Sequence, residues 1–326
     1  HPTTRARCTI VDQRALESVY HQVRTPVKRG IILRAEAPVD CPAVFRHGAR
    51  WYMTYLTHEN DGYKTLLAES DDLLQWRPLG PIVTPQPGMW DCAQAGGSVV
   101  LQRYDWGGPY TLETHDGHYW LSYLGGALTG YETEPLSIGL AHSDAPDHVA
   151  EWERLPNNPV LTSAQPDARA FETATLYRSH ILRDPDASLG APFMMYYNAK
   201  QRGPWIERIG MAISADMRVW RRLGKGPVVD HGVGITGDPQ ITRLGALWVM
   251  FYFRYVQGQG AWDTFACSDD LVHWATWDGP PLVASSEPWD ATFAHKPWII
   301  RHAGVVYHYY CAVGDQGRAI AVATSS

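Results

Sequence analysis

The 326-residue chain contains no run of about 18 apolar residues, so it offers no span for a membrane helix. Charge is scarce too: Asp, Glu, Lys and Arg make up 19%, and 28 basic against 34 acidic residues leave no cationic excess for a polyanion such as nucleic acid. Cysteine is thin. Cys8, Cys41, Cys92, Cys267 and Cys311 are odd in number, widely spread and never in C-x-x-C, which argues against a disulfide framework or zinc site and reads as free thiols in a reducing, cytoplasmic setting. A charged-then-apolar leader is missing, although an opening at His1 rather than Met keeps a processed periplasmic or secreted form open. Phe (7) is outnumbered by Trp (14) and Tyr (17), rings that fill a β core and, where exposed, both stack and hydrogen-bond with a ligand.

Helical periodicity is confined to one short stretch. Leu16, Val19, Tyr20 and Val23 recur at helical spacing, Asp12 suits an N-cap, and Thr25-Pro26 stops the pattern. Such a helix either packs on the rim of the main body or joins a second copy into a homo-oligomer. Beyond Gly30 the apolar runs are short and cut by Gly, Pro, Asn and Asp. A helical extension over 1–30 and an all-β domain over 31–326 are therefore expected.

That domain repeats. Ala68 to Trp76, with Ser70, Asp72 and Leu73, returns at Ala212 to Trp220 and at Ala266 to Trp274, more loosely at Ala141 to Trp152, and truncated at Ala321 to Ser325. Successive serines, Ser70, Ser143, Ser214, Ser268 and Ser325, lie 73, 71, 54 and 57 apart, the size of a four-stranded blade with loops. Each unit also carries an aromatic strand such as Trp51 to Tyr55 or Phe193 to Tyr197. The expectation is a five-bladed β-propeller, with long insertions around Tyr104 to Thr114, Gly125 to Pro135 and Gln201 to Glu207.

A second signature heads each unit. Trp289-Asp290 precedes His295 by six and five positions; Asp167 stands five before Glu172, and Asp91 five before Gly96. Aligned so, Asp40, Gly96, Glu172, Asp238 and His295 fall at equivalent positions, where a propeller places the start of each innermost strand around its axis. Three carboxylates and an imidazole there suit acid–base hydrolysis of a glycosidic bond, one group activating water and another protonating the leaving oxygen. Around them Trp90 and Trp289 read as sugar-stacking walls or loop packing, Asp91 and Asp290 as turn residues or ligand contacts, and Asn198 and Lys296 as hydroxyl or carboxylate binders. No cofactor is required, although oxygen ligands with one imidazole would accept Ca or Mg at the axis. Gly232 to Gly237 matches G-x-G-x-x-G but opens no helix, so it is a loop delivering Asp238 rather than a nucleotide site.

From about Arg34 onward the chain resembles the five-bladed propeller glycoside hydrolases, families 43 and 117 and their uncharacterised relatives. The resemblance is carried by Asp40 to Val44 followed by Trp51-Tyr52-Met53, by the Ser-x-Asp-Leu-x-x-Trp strand ends, and by Phe293 to Pro297. It implies an exo-acting, inverting hydrolase with Asp40 as general base and a furanoside or other unusual terminal sugar as substrate. It leaves two assignments open for the acid, Glu172 or His295, with Asp238 in support. A propeller phosphorylase like those of family 130 and a non-catalytic carbohydrate-binding propeller are the alternatives; the differing residues at the five positions favour an enzyme.

Overall fold

The turn written Ser-x-Asp-Leu-x-x-Trp joins the third and fourth strands of a blade. In the computed structural model, which describes residues 11–59 and 62–326, Ser70 Oγ accepts from the Leu73 amide at 2.9 Å, and Asp72 Oδ1 accepts from the Leu74 and Gln75 amides at 2.9 and 2.7 Å. Leu73 is thereby turned to φ 68° and buried, and Trp76 Nε1 donates back to its carbonyl. The same bonds recur at Ser214 to Trp220 and Ser268 to Trp274. Local side-chain-to-backbone bonding explains why this motif survives in the repeat.

Five sheets result, as the spacing predicts. Blade I comprises Val39–His47, Arg50–Glu59, Gly62–Ser70 and Arg77–Val83; blade II, Gln94–Val99, Tyr119–Gly126, Ser137–Ser143 and Glu153–Arg154. Blade III comprises Thr175–Arg183, Phe193–Lys200, Glu207–Ser214 and Trp220–Arg222; blade IV, Ile235–Leu244, Leu247–Val256, Gly260–Ser268 and Ala275–Thr276, with Val283–Ala284 also on its third strand. Blade V is Phe293–His302, Val305–Gly314 and Gly317–Thr324, and its outermost strand is Val27–Leu33 from the beginning of the chain, which closes the ring. Hydrophobic layers lie between neighbouring blades rather than in one centre: Trp120, Phe193 and Tyr197 pack between II and III, Trp51, Met53 and Trp298 between V and I. Strands buried on both faces carry the near-continuous apolar runs.

The helix Gln13–Val23 is capped by Asp12, whose Oδ1 accepts from Ala15 N at 2.9 Å. Its Leu16, Val19 and Val23 are buried against Phe251, Phe265 and Ile299 of blades IV and V, so its apolar face is spent on the rim of the propeller. Four cysteines, Cys41, Cys92, Cys267 and Cys311, are free thiols; Cys8 lies outside the described residues. No helix among the described residues is long and apolar enough to cross a membrane.

Candidate active site

Three innermost strands open with a proline-terminated bulge. Pairing skips Cys41-Pro42, Asp238-Pro239 and Lys296-Pro297, and the residue before each proline takes positive φ: 52° at Cys41, 56° at Asp238, 63° at Lys296. Proline supplies no ladder donor there, and the bulge redirects the preceding side chain toward the axis. The alignment of Asp238 with Asp40 and His295 is thus one residue off. Asp238 matches Cys41 and Lys296, and Gly237 matches Asp40 and His295.

Glu172 is displaced further. It ends a short 3-10 turn, Ala170–Glu172, as Asp290 ends Pro288–Asp290. Both belong to a repeated scaffold in which an acid before the innermost strand takes a tyrosine from the second strand and a base from the outermost. The sets are Asp91 with Tyr123 (3.1 Å) and Arg154 (2.7 Å), Glu172 with Tyr197 (2.6 Å) and Arg222 (2.6 Å), and Asp290 with Tyr310 (2.9 Å) and Lys28. Arg169 also binds Glu172, and Asp167 holds Arg222 at 2.7 Å. Burial pushes the Glu172 carboxyl up, but Arg169, Tyr197 and the Arg169 amide outweigh it and hold the group below the usual range. The structure therefore does not bring Glu172, Asp91 or Asp290 to the axial pocket. Trp90 packs on Tyr123, and Trp289 lines a separate groove with Thr25 and Lys28. Gly96 opens no space either: a Cβ there would stand 2.9 Å from Leu56 Cδ1.

The axial pocket has a volume of about 220 Å³. Of the expected residues it is lined by Asp238, His295, Lys296 and Asn198, and it adds Glu132, Glu207, Tyr131, Tyr177, Arg178, Trp205 and Arg318. Asp40 is its sealed floor. One carboxylate oxygen accepts from Cys41 N at 3.0 Å; the other accepts from Lys296 Nζ at 2.8 Å, Arg318 at 2.9 Å, Tyr63 OH at 2.9 Å and Tyr131 OH at 3.4 Å. Burial opposes ionisation of Asp40, yet Lys296 and Arg318 overcome it and hold the carboxyl well below its usual range. Lys296 is held well above its own, its burial outweighed chiefly by Asp40. The lysine reaches on to Glu132 Oε1 at 3.3 Å, where Tyr63 OH also arrives at 3.2 Å.

Glu207 is the opposite case. It starts the third strand of blade III, is 4% exposed, and accepts from neutral donors, Trp205 Nε1 at 2.8 Å and Asn198 Nδ2 at 3.0 Å. Burial raises its pKa to about 7, with Glu132 and Asp238 adding repulsion. His295 is pushed down to about 3, first by burial and then by Lys296, so it is a neutral imidazole whose Nδ1 donates to the Cys311 carbonyl at 3.2 Å. Asp238 lies 3.4 Å from Arg178, and its amide is 3.5 Å from Asn198 Oδ1. Among the described residues no three His, Cys, Asp or Glu gather as a metal site, and the axial carboxylates Asp40 and Asp238 are met by Lys296, Arg318 and Arg178.

Glu132 and Glu207 were missed because they stand outside the repeat. Both sit in or at the end of the long second-to-third-strand insertions of blades II and III; that these loops open on the same side as the bulged strand starts was the available signal.

No family model matches the chain. It superposes on the solved structure of a BT0996 RGII complex with TM-score 0.93 and 43% identity over 97% of this chain and 96% of that one. A structure named "Glycoside hydrolase" gives TM-score 0.93 and 42% identity with the same coverage, 97% and 96%. A thermostable family-43 glycoside hydrolase shares the fold at TM-score 0.66 and 15% identity, over 93% of this chain and 91% of that one. By sequence, the uncharacterised protein Rv1502 of Mycobacterium tuberculosis is 28% identical over 177 residues, 50% of this chain and 56% of that curated relative.

Proposed function

Because the chain belongs to the five-bladed β-propeller glycoside hydrolases, we propose that it removes a terminal sugar from an oligosaccharide, with Glu207 as general acid and Glu132 as the carboxylate acting on the opposite side of the bond. The observation that carries this reading is the pairing of the two glutamates in one pocket. Glu207 keeps a proton to about pH 7 because burial outweighs the hydrogen bonds from Trp205 and Asn198 and Glu132 adds repulsion, while Glu132 has Lys296 beside it at 3.3 Å. Divergent environments divide the roles of donor and acceptor between two like groups. Asp40, fully occupied and with no exposed surface, serves as the anionic anchor that orders Lys296, Arg318 and Tyr131 rather than as the base.

In the reaction the Glu207 proton passes to the glycosidic oxygen as the carbon–oxygen bond breaks, and Glu132 supports attack at the anomeric carbon, either through water or directly. Neutral His295 and Asn198 supply hydrogen bonds to the sugar hydroxyls, and Phe253, Tyr255, Phe293 and Trp205 give apolar walls. An exo mode of action is favoured by size: about 220 Å³ lies below the roughly 300–1,000 Å³ of pockets that hold drug-sized ligands. The same size suits a furanoside. Hydrolysis is preferred over phosphorolysis because Lys296, Arg318 and Arg178 are already engaged by Asp40 and Asp238, leaving no free cationic cluster for phosphate among the described residues of the axial pocket.

The test is a panel of aryl furanosides and pyranosides with good and poor leaving groups, assayed with and without phosphate. Glu207→Gln should lose turnover of glycosides with alkoxide leaving groups while retaining that of dinitrophenyl glycosides, which depart unprotonated. Equal losses on both would remove Glu207 from the acid role. The anomer first released, read by NMR, distinguishes direct attack, expected for carboxyls about 5–5.5 Å apart, from the inverting route through water, expected at about 6.5–9.5 Å.

A further inference from the structure

The opposite mouth of the axis is closed by residues 100–118, the insertion between the first two strands of blade II. Leu101 N donates to Ile181 O at 3.0 Å, Arg46 N to Tyr110 O at 2.9 Å, Arg243 N to Tyr104 O at 2.7 Å and Arg301 N to Tyr110 OH at 2.9 Å. The segment is thereby bonded to the innermost strands of blades III, I, IV and V. Between it and blades III and IV it leaves a cavity of about 550 Å³ lined by Arg103, Tyr104, Asp105, Glu113, Arg183 and Arg243 beside Pro185. This cavity shares no residue with the axial pocket. Arg183 and Arg243 each lie five residues along a strand from Arg178 and Asp238 of that pocket, about 17 Å of extended chain.

Its charges are unevenly matched. Arg103 faces Glu113 at 3.7 Å, but Arg183 and Arg243 form no ion pair among the described residues. Arg183 lies over the Phe193 ring at 5.8 Å, with its buried Nε lacking an acceptor among the described residues. Arg243 lies over Trp248 at 4.9 Å, a ring that Tyr104 packs against at 4.9 Å, and spends only its Nε, on the Gly245 carbonyl at 3.4 Å. Aromatic faces thus hold two guanidinium planes and leave their terminal donors unmatched, which suits a planar carboxylate. Asp105, Glu113 and Tyr104 add the acceptors that hydroxyl groups need.

We propose that this cavity is a second carbohydrate site taking an acidic sugar, a uronate, with its carboxylate on Arg183 and Arg243 and its hydroxyls on Asp105, Glu113 and Tyr104. A neutral sugar would leave both guanidiniums unmatched. An inorganic oxyanion would bring its negative charge against Asp105 and Glu113 with far fewer hydroxyls to offer them than a sugar. The proposal rests on the reading of the chain as a carbohydrate enzyme, but it concerns a different mouth of the propeller.

Calorimetric titration with digalacturonate, galactobiose and inorganic phosphate tests it. Digalacturonate should bind saturably to the wild type and equally to Glu207→Gln, and galactobiose should not bind. The double variant Arg183→Ala/Arg243→Ala should weaken binding roughly tenfold or more while turnover of a small aryl glycoside stays unchanged. Arg183→Lys/Arg243→Lys, which keeps charge without the planar fork, should fall between the two and guards against a folding defect in the alanine variant. Absence of saturable digalacturonate binding, binding that survives both double variants, or binding of phosphate in place of digalacturonate would overturn the proposal. A wild type that binds digalacturonate but cleaves no glycoside would instead sink the hydrolase reading and leave this site standing.

Discussion

Glu172 and Glu207 flank the same blade, both are buried, and they titrate in opposite directions. Around Glu172 two arginines and a tyrosine close on the carboxylate and keep it charged; around Glu207 an indole and an amide donate hydrogen bonds but bring no charge, so burial prevails and the proton stays to about pH 7. A buried acid closed in by cations stays charged, whereas one met by neutral donors holds its proton. Glu132 differs from both in being partly exposed at the pocket, and its ion-pair partner, Lys296, is shared with Asp40.

The largest effect should come from Glu132→Gln. Turnover is expected to fall roughly 10²–10⁴-fold for every leaving group, because attack on the anomeric carbon is required whichever group departs. Kinetics on paired nitrophenyl and alkyl glycosides check this, and retention of activity on either would break the assignment. Glu207→Gln should cost a similar 10²–10⁴-fold only where protonation is needed.

Glu172→Gln should sharpen the contrast by doing the reverse. Removing the anion leaves Arg169 and Arg222 facing a neutral amide, a loss of about 3–5 kcal/mol in folding stability by the cost of breaking a buried pair, with KM and the pH profile of surviving folded enzyme unaltered. Denaturant melts report the first quantity and steady-state kinetics the second. A pH profile displaced by this substitution would mean that Glu172 reaches the chemistry after all.

The two glutamates also predict opposite pH linkages. Glu172, depressed in the fold, contributes stability that is present above the unfolded value near 4.5 and lost as pH falls through its lower folded value. Glu207, raised to about 7 from 4.5, costs stability progressively as pH rises from 4.5 to 7, since the unfolded chain releases that proton first. Glu207→Gln should therefore melt above the wild type at pH 8 and level with it at pH 4. Activity should decline as pH climbs through about 7. Melting curves at the two pH values would reject the assignment if the difference were absent.

Much of this architecture was legible. The Ser-x-Asp-Leu-x-x-Trp turn is a local device, complete within a few residues, so its recurrence gave the blades, their order and their number. The site was legible only in part, because a repeat locates what the blades share. Asp40, Asp238, His295 and Lys296 lie at bulged strand starts marked by Pro42, Pro239 and Pro297, and aligning those prolines would have removed the one-residue slip. Glu172 entered the ring through its spacing from Asp167, although Asp91, Glu172 and Asp290 are the true equivalents in a tyrosine-and-base scaffold. Glu132 and Glu207 belong to insertions specific to two blades, and no periodicity can point to a residue that occurs once.

The smallest expected effect tests the finest part of the contrast. Trp205 is 64% exposed at the pocket rim, yet its Nε1 donates to Glu207 Oε1 at 2.8 Å, a bond that favours the charged form and keeps the acid from rising further. Trp205→Phe preserves an aromatic face for a sugar and deletes only the donor. The Glu207 pKa should then rise, moving the alkaline limb of kcat upward by up to about one pH unit, the scale of one hydrogen bond to a charged group. Trp205→Ala should add a rise in KM through the lost stacking surface. An unmoved limb in the phenylalanine variant would mean that the indole is a platform alone, and that burial by itself sets the acidity of Glu207.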